Sequence, residues 1–261
     1  MARGRLVVPA AEWENVADHL EQEWRPGDHV TLIGPTGSGK THAALELADM
    51  TGYALLLATK RRDPLLERLP AAGWRIVGSL REIRFAEHRG RWRPLTSHVV
   101  YWPARSGEGL EARRKLQAGA MRNALDWIDK TGGWTTVIDE TLWFCRNLGL
   151  ARELESVWFQ GRTQGVSLVA CAQRPAHVPR LAYSQSRFLF LWRTGDGSDL
   201  DRLADISSGI PRRLIERSVL RLDADAHELL FLDAEQRVLA RTIAPPRPAG
   251  RRAVRAAPAR E

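Results

Sequence analysis

The chain reads as a doubly wound α/β domain, a mostly parallel sheet with helices on both faces. Three observations predict it. Apolar runs of strand length alternate with helical patterns along most of the 261 residues, the arrangement in which crossover helices join parallel strands. Several of those runs read as fully buried strands. The first of them passes at once into a glycine-rich turn and a helix.

From the N-terminus, Trp13, Val16, Leu20 and Trp24 fall at helical spacing and predict an amphipathic helix over roughly 10–24. Pro26-Gly27 breaks it. His29–Ile33 reads as a buried strand, and a helix over about 40–50 follows the turn. Residues 53–59 (YALLLAT) make a second buried strand, followed by a helix led by Pro64 and a strand near 74–77. The stretch 81–93 is basic and irregular. Residues 98–102 look like another strand. A long helix is expected over 108–130, with Leu116, Ala120, Met121, Ala124, Leu125 and Ile128 as its inner stripe, ended by Gly132-Gly133. Strands at 134–139 and Ser167–Ala172 flank a helix near 150–163, and 186–193 gives one more strand. Two short helices, near 198–206 and 211–219, precede a hairpin of 227–232 and 236–243 turned at Asp233-Ala234-Glu235. The expected organisation is a short N-terminal helical segment over 1–27, one main domain over 28–245, and an Arg/Pro-rich tail over 246–261.

Composition excludes several classes. At 44% hydrophobic and 27% charged residues the chain has the makeup of a globular protein with a real core. No apolar run approaches the ~20 residues of a membrane helix, and the N-terminus lacks the apolar stretch of a secretory signal. A cytoplasmic setting is expected. Two cysteines, Cys145 and Cys171, exclude a disulfide scaffold, and the seven His show no metal-ligand spacing. The net charge is +8, but residues 241–261 carry six Arg against Glu261, so the main domain is nearly balanced. The tail has too little apolar mass to offset its ordering entropy and is expected to be disordered past about residue 246.

Gly34-Pro35-Thr36-Gly37-Ser38-Gly39-Lys40-Thr41 matches G-x-x-x-x-G-K-[ST] in full. The glycines let successive backbone N–H groups point inward at a phosphate, and the following helix adds its positive end. Lys40 is long enough to reach β- and γ-phosphates, and the Thr41 hydroxyl is suited to ligate Mg²⁺. These eight residues predict a nucleotide site.

A second motif narrows the chemistry. Thr136-Val137-Ile138 runs into Asp139-Glu140 at a strand's C-terminal end, where α/β folds place ligands. Asp139 is suited to the Mg²⁺ sphere. Glu140 is suited to orient and polarise a lytic water, which transfer to another acceptor does not need. GTPase base-reading motifs of the N-K-x-D type are absent. The reading is hydrolysis of ATP that drives mechanical work.

Gln160-Gly161-Arg162-Thr163-Gln164-Gly165 leads into Ser167–Ala172 and then Gln173-Arg174-Pro175. With the Asp139-Glu140 strand end, this order of motifs resembles the FtsK–HerA superfamily of DNA-pumping ATPases over roughly 28–195. The resemblance implies a RecA-like P-loop NTPase core in a homo-oligomeric ring acting on double-stranded DNA. By that likeness Gln173 is a polar sensor of the γ-phosphate, on a strand inserted between those of the phosphate loop and Asp139. An amide suits the role because it donates without titrating. Arg162 matches the position of an arginine finger given to the neighbouring subunit's ATP, with Arg152 and Arg174 as rivals. Lacking the membrane segments and DNA-orienting domain of the large members, the chain compares best with compact packaging or mobile-element motors. Those act in a bacterial host cell or with virion assembly, with a viral portal or transfer machinery as a further partner.

Two segments are candidates for contacting DNA. Residues 81–93 interleave Arg81, Arg84, Arg89, Arg91 and Arg93 with Phe85, His88 and Trp92, a composition suited to backbone tracking. The basic tail is the other. Alternatives are a filamentous-virus assembly or secretion ATPase and an AAA-type protein remodeller. The last would use a lid helix with a sensor Arg, for which Pro211-Arg212-Arg213 is a candidate.

Overall fold

The computed structural model describes residues 8–88, 90–103, 109–174, 179–203, 206 and 209–245. The tail over 246–261, like Arg89 and Pro175, lies outside them. The chain opens with α1 (Trp13–Glu23), β1 (His29–Ile33), α2 (Lys40–Asp49), β2 (Ala54–Leu57) and β3 (Arg75–Val77). Next come β4 (Phe85–His88), β5 (Arg91–Pro94), β6 (His98–Tyr101), α3 (Leu110–Thr131) and β7 (Thr135–Ile138). After these come α4 (Ala151–Gln164), β8 (Ser167–Ala172), α5 (Arg180–Ser184) and β9 (Ser186–Trp192). The last elements are α6 (Gly197–Arg202), α7 (Arg212–Leu220), β10 (Glu228–Asp233) and β11 (Val238–Ile243).

Among the described residues, nine strands form one sheet in the order β11-β10-β9-β1-β8-β7-β2-β6-β3. From β9 to β3 every pairing is parallel, and β10 and β11 add an antiparallel hairpin at one edge. Alternation within buried strands divides the core in two. On one face Leu55, Leu57, Ile138, Leu168 and Ala170 meet Met121, Leu125 and Ile128 of α3 and Leu154 and Trp158 of α4. On the other, Val30, Leu32, Leu56, Val137 and Phe190 meet Ala43, Ala44 and Leu47 of α2 and Trp13, Val16 and Leu20 of α1. The N-terminal helix is thus packed on the sheet, with the Trp13 ring 5.9 Å from that of Phe190. Helices on both faces follow from strands whose two sides are equally apolar.

Three expectations need correction. The basic stretch 81–93 is not irregular: β4 and β5 pair as an antiparallel hairpin, with Glu87 opposite Trp92. Charges spaced along two short strands sit at a solvent-facing sheet without spoiling its backbone pairing, so composition concealed the hairpin. In α3 the inner stripe begins at Gln117 rather than Leu116, which is 61% exposed. One residue is about 100° around a helix, and the Gln117 amide tolerates burial because both its ends are bonded: Nε2 donates to the Thr59 carbonyl (2.5 Å) and Oε1 accepts from Trp143 Nε1 (2.9 Å). The helix led by Pro64 is a 3₁₀ stretch over Leu66–Ala72 that contains Pro70, a residue that costs an α-helix a hydrogen bond. Two elements gave no periodic signal, the five-residue α5 and a π-helical turn at Trp143–Asn147.

Candidate functional site

The phosphate loop leaves the C-terminal end of β1 near the middle of the sheet. Its neighbour β8 ends one residue before Gln173, and β7, on the far side of β8, ends one residue before Asp139. Three strands that run the same way deliver three motifs to one edge. The strand that leads into Gln173 stands between the other two, as the resemblance implies. Gly37 and Gly39 take positive φ, 83° and 100°, a conformation that costs an L side chain of order 1 kcal/mol or more. At Gly39 space is short as well, since a Cβ would lie 3.2 Å from the Ala244 methyl.

Within the loop, Lys40 is buried and its Nζ donates to the carbonyls of Gly34 (2.6 Å) and Pro35 (2.7 Å). Burial draws its ammonium below the ordinary lysine range, while the nearby Asp139 and Glu140 carboxylates act the other way. The Thr41 hydroxyl donates to Asp139 Oδ1 at 2.6 Å. Glu140 Oε2 accepts from Gln173 Nε2 at 2.7 Å, while Glu140 Oε1 and Ser38 Oγ are buried with no protein partner. A buried carboxylate oxygen without a donor is costly unless something polar meets it. The Gln173 amide turns Glu140 so that one oxygen is used and the other is left for such a group.

Thr41 and Asp139 are hard oxygen donors held side by side at the helix start, and this donor set suits Mg²⁺, which takes few protein ligands and shares the phosphates. The residues present therefore fit the metal. Among the described residues no cluster of three or more His, Cys, Asp or Glu forms a metal site of protein ligands alone.

A cleft of about 520 Å³ opens beside the loop, bounded by Gly37, Lys40 and Thr41 on one side and Leu65, His227 and Pro245 on the other. Sequence reasoning missed two groups on its wall. Lys60, three residues past β2, donates to Asp139 Oδ2 (2.7 Å) and to Asp63 Oδ2 (3.0 Å). Burial lowers the Lys60 ammonium, but the charge of and bond to Asp139, together with Asp63, outweigh this and raise it above the ordinary lysine range. The signal for Lys60 was its place after a strand's C-terminal end. The C-terminal residues His227 and Pro245 offered none, since they reach the cleft only through the β10–β11 hairpin.

Arg162 is not brought to this site. It lies in the last turn of α4 at the opposite edge of the sheet, beyond the start of β1, with Nη2 3.2 Å from Asp28 Oδ1 and its side chain 72% exposed. A five-residue strand, roughly 16 Å long, separates that edge from the loop. Arg174 is held by Asp196 (2.6 Å) and Asp199 (3.1 Å), beside Gln173 on the wall of a second cleft of about 300 Å³. Arg152 lies exposed in the first turn of α4, on the loop's edge of the sheet. Arg212, the candidate sensor, pairs with Asp201 and Glu216 and does not line the nucleotide cleft. The hairpin presents Trp92, 70% exposed, with Arg81, Arg84 and Arg93 also at the surface.

Parallel strands in this order, a complete phosphate loop, and an acidic pair met by a polar residue from an intervening strand define a P-loop NTPase fold of the RecA-like class. Solved structures agree. The genome-packaging NTPase B204 of Sulfolobus turreted icosahedral virus 2, in complex with ATP-γ-S, superposes with a TM-score of 0.54 at 15% identity, over 85% of this chain and 99% of that one. B204 described as the DNA-packaging ATPase of Sulfolobus turreted icosahedral virus gives 0.55 at 16% identity, over 83% and 97%. VirB4 of Thermoanaerobacter pseudethanolicus gives 0.51 at 12%, over 84% and 89%. No family model matches the sequence, and no curated protein sequence matches it either. The likeness is one of fold.

Proposed function

We propose that this chain is an ATP-hydrolysing ring motor that translocates or packages double-stranded DNA. The observation that supports the hydrolytic part is the Gln173–Glu140 bond beside the Thr41–Asp139 pair, which leaves Glu140 Oε1 without a protein partner. In this reading the loop N–H groups, the N-terminus of α2 and Lys40 hold the β- and γ-phosphates. Thr41 and Asp139 would hold Mg²⁺, which supplies positive charge to the phosphates. Glu140 orients a water and accepts its proton as the oxygen attacks the γ-phosphorus and the bond to ADP breaks. Gln173 fixes Glu140 and senses whether a γ-phosphate is present. An arginine of a neighbouring subunit, Arg162 by family likeness, neutralises the charge that develops.

The DNA part is supported by the Arg-flanked, exposed Trp92 on the hairpin and by the fold shared with viral packaging NTPases. The basic tail is a second proposed contact, a portal or transfer complex a proposed partner, and the host cytoplasm the proposed setting. No helix among the described residues is long and apolar enough to cross a membrane. The deciding experiment is the ATPase rate with and without double-stranded DNA at several salt concentrations. Stimulation that fades as salt rises supports the motor. Stimulation by a protein partner alone would point to a secretion ATPase or a remodeller instead.

A further inference from the structure

We propose that Lys60 is a resident counter-cation of the metal site, a positioning residue that occupies Asp139 and competes with the divalent ion for it. This rests on the reading of the cleft as an Mg·nucleotide site. Asp139 has two oxygens, and each is in use. Oδ1 accepts from the Thr41 hydroxyl and Oδ2 from the Lys60 ammonium, at 2.6 and 2.7 Å. A cation entering between Thr41 and Asp139 therefore meets a positive charge already bonded to the same carboxylate. Like charges that share one carboxylate weaken each other's hold on it.

The arrangement is built into the fold. The backbone that carries Lys60 is fixed from two sides: Gln117 Nε2 donates to the Thr59 carbonyl at 2.5 Å and Trp102 Nε1 to the Lys60 carbonyl at 2.7 Å, and both side chains are buried. Gln117 is tied in turn to Trp143, three residues past Glu140. The lysine is thus registered against the acidic strand end through a side-chain chain from β7 to α3 to the end of β2. Asp63 supplies a second carboxylate at 3.0 Å, so the ammonium has somewhere to stay when a metal claims Asp139. Asp63 Oδ1 separately accepts the N–H groups of Leu65 and Leu66, which keeps its carboxyl in place.

The test uses the full chain and a fluorescent, non-hydrolysable ATP analogue, with binding followed as Mg²⁺ is titrated. Lys60→Met should lower the Mg²⁺ concentration for half-maximal binding by about tenfold, the scale of one partly screened charge interaction. Lys60→Arg should keep the wild-type midpoint. Asp63→Asn, which retains Oδ1 for the loop but removes the alternative carboxylate, should raise it. Thermal melting establishes that each variant is folded, and Lys60→Gln replaces Lys60→Met if that protein does not fold. A folded charge-removing variant whose midpoint is unchanged or raised overturns the role of Lys60 and leaves the nucleotide site standing. A wild-type chain that binds no analogue at any Mg²⁺ concentration overturns the nucleotide reading and this proposal together.

Discussion

At the scale of single residues, the site separates binding from chemistry. The Glu140 carboxylate is hydrogen-bonded to the protein through Oε2 alone, so Glu140→Gln keeps the shape and the Gln173 contact while removing the basic oxygen. It is expected to bind ATP as the wild type does and to turn over about 10²–10⁴-fold more slowly, the usual worth of a positioned general base. Equilibrium binding beside steady-state turnover checks both halves. A different residue contributes to stability against acid. His29 at the start of β1 accepts the Leu168 N–H at Nδ1 and donates from Nε2 to the Trp158 carbonyl, a pattern that requires the neutral ring. Burial lowers its pKa to about 4 from 6.5. Between those values the unfolded chain binds the extra proton, so the contribution is complete above pH 6.5 and is lost as pH falls toward 4. Its size is roughly 3 kcal/mol. Urea unfolding at pH 7 and pH 4.5 should show that loss, and His29→Asn should flatten the pH dependence.

At the scale of elements, β4–β5 occupies the connection between β3 and β6. The hairpin is held to the body by Phe85, whose ring lies 6.1 Å from that of Trp127 on α3. Trp92, opposite Glu87, is left exposed to solvent. Replacing Trp92 and Arg93 by Ala is expected to leave DNA-free ATP hydrolysis near its wild-type rate. DNA affinity should fall by about tenfold or more, and the slope of log affinity against log salt by roughly one for the lost Arg. Fluorescence anisotropy with a short duplex at three salt concentrations measures both. The hairpin also shows how an element escapes pattern reading. Its strands have four residues each, with Arg, Glu and His among them, whereas the buried strands β1 and β8 were legible to the residue.

At the scale of the whole molecule, the proposed ring makes a demand that a monomer does not. Arg162 lies at the sheet edge opposite its own loop, so any catalytic part it plays belongs to a neighbour's site. A Lys40→Ala subunit lacks its own phosphate contact but keeps Arg162, and an Arg162→Ala subunit has the reverse defect. Mixed in equal amounts, two inactive proteins should recover on the order of a quarter of wild-type ATPase activity, if subunits assort at random and each site needs its own Lys40 and one neighbour's Arg162. Full inactivity of the mixture, with both proteins assembled, would assign the finger elsewhere, and Arg152 is the next to test.

The sequence by itself determined the phosphate loop and its helix, because every group in that cradle is contiguous along the chain and local glycine conformations are enough to build it. It also determined the fold class, since strand-length apolar runs separated by helices have few right-handed ways to pack. Tertiary structure decided the rest. Which oxygen of Asp139 meets Thr41 and which meets Lys60, and that Gln173 rather than a nearby Arg reaches Glu140, depend on strand order. So does the burial of Gln117 in place of Leu116, because its amide needs partners on two other elements. Contacts between groups dozens of residues apart follow from how the sheet is woven, and no local pattern encodes that.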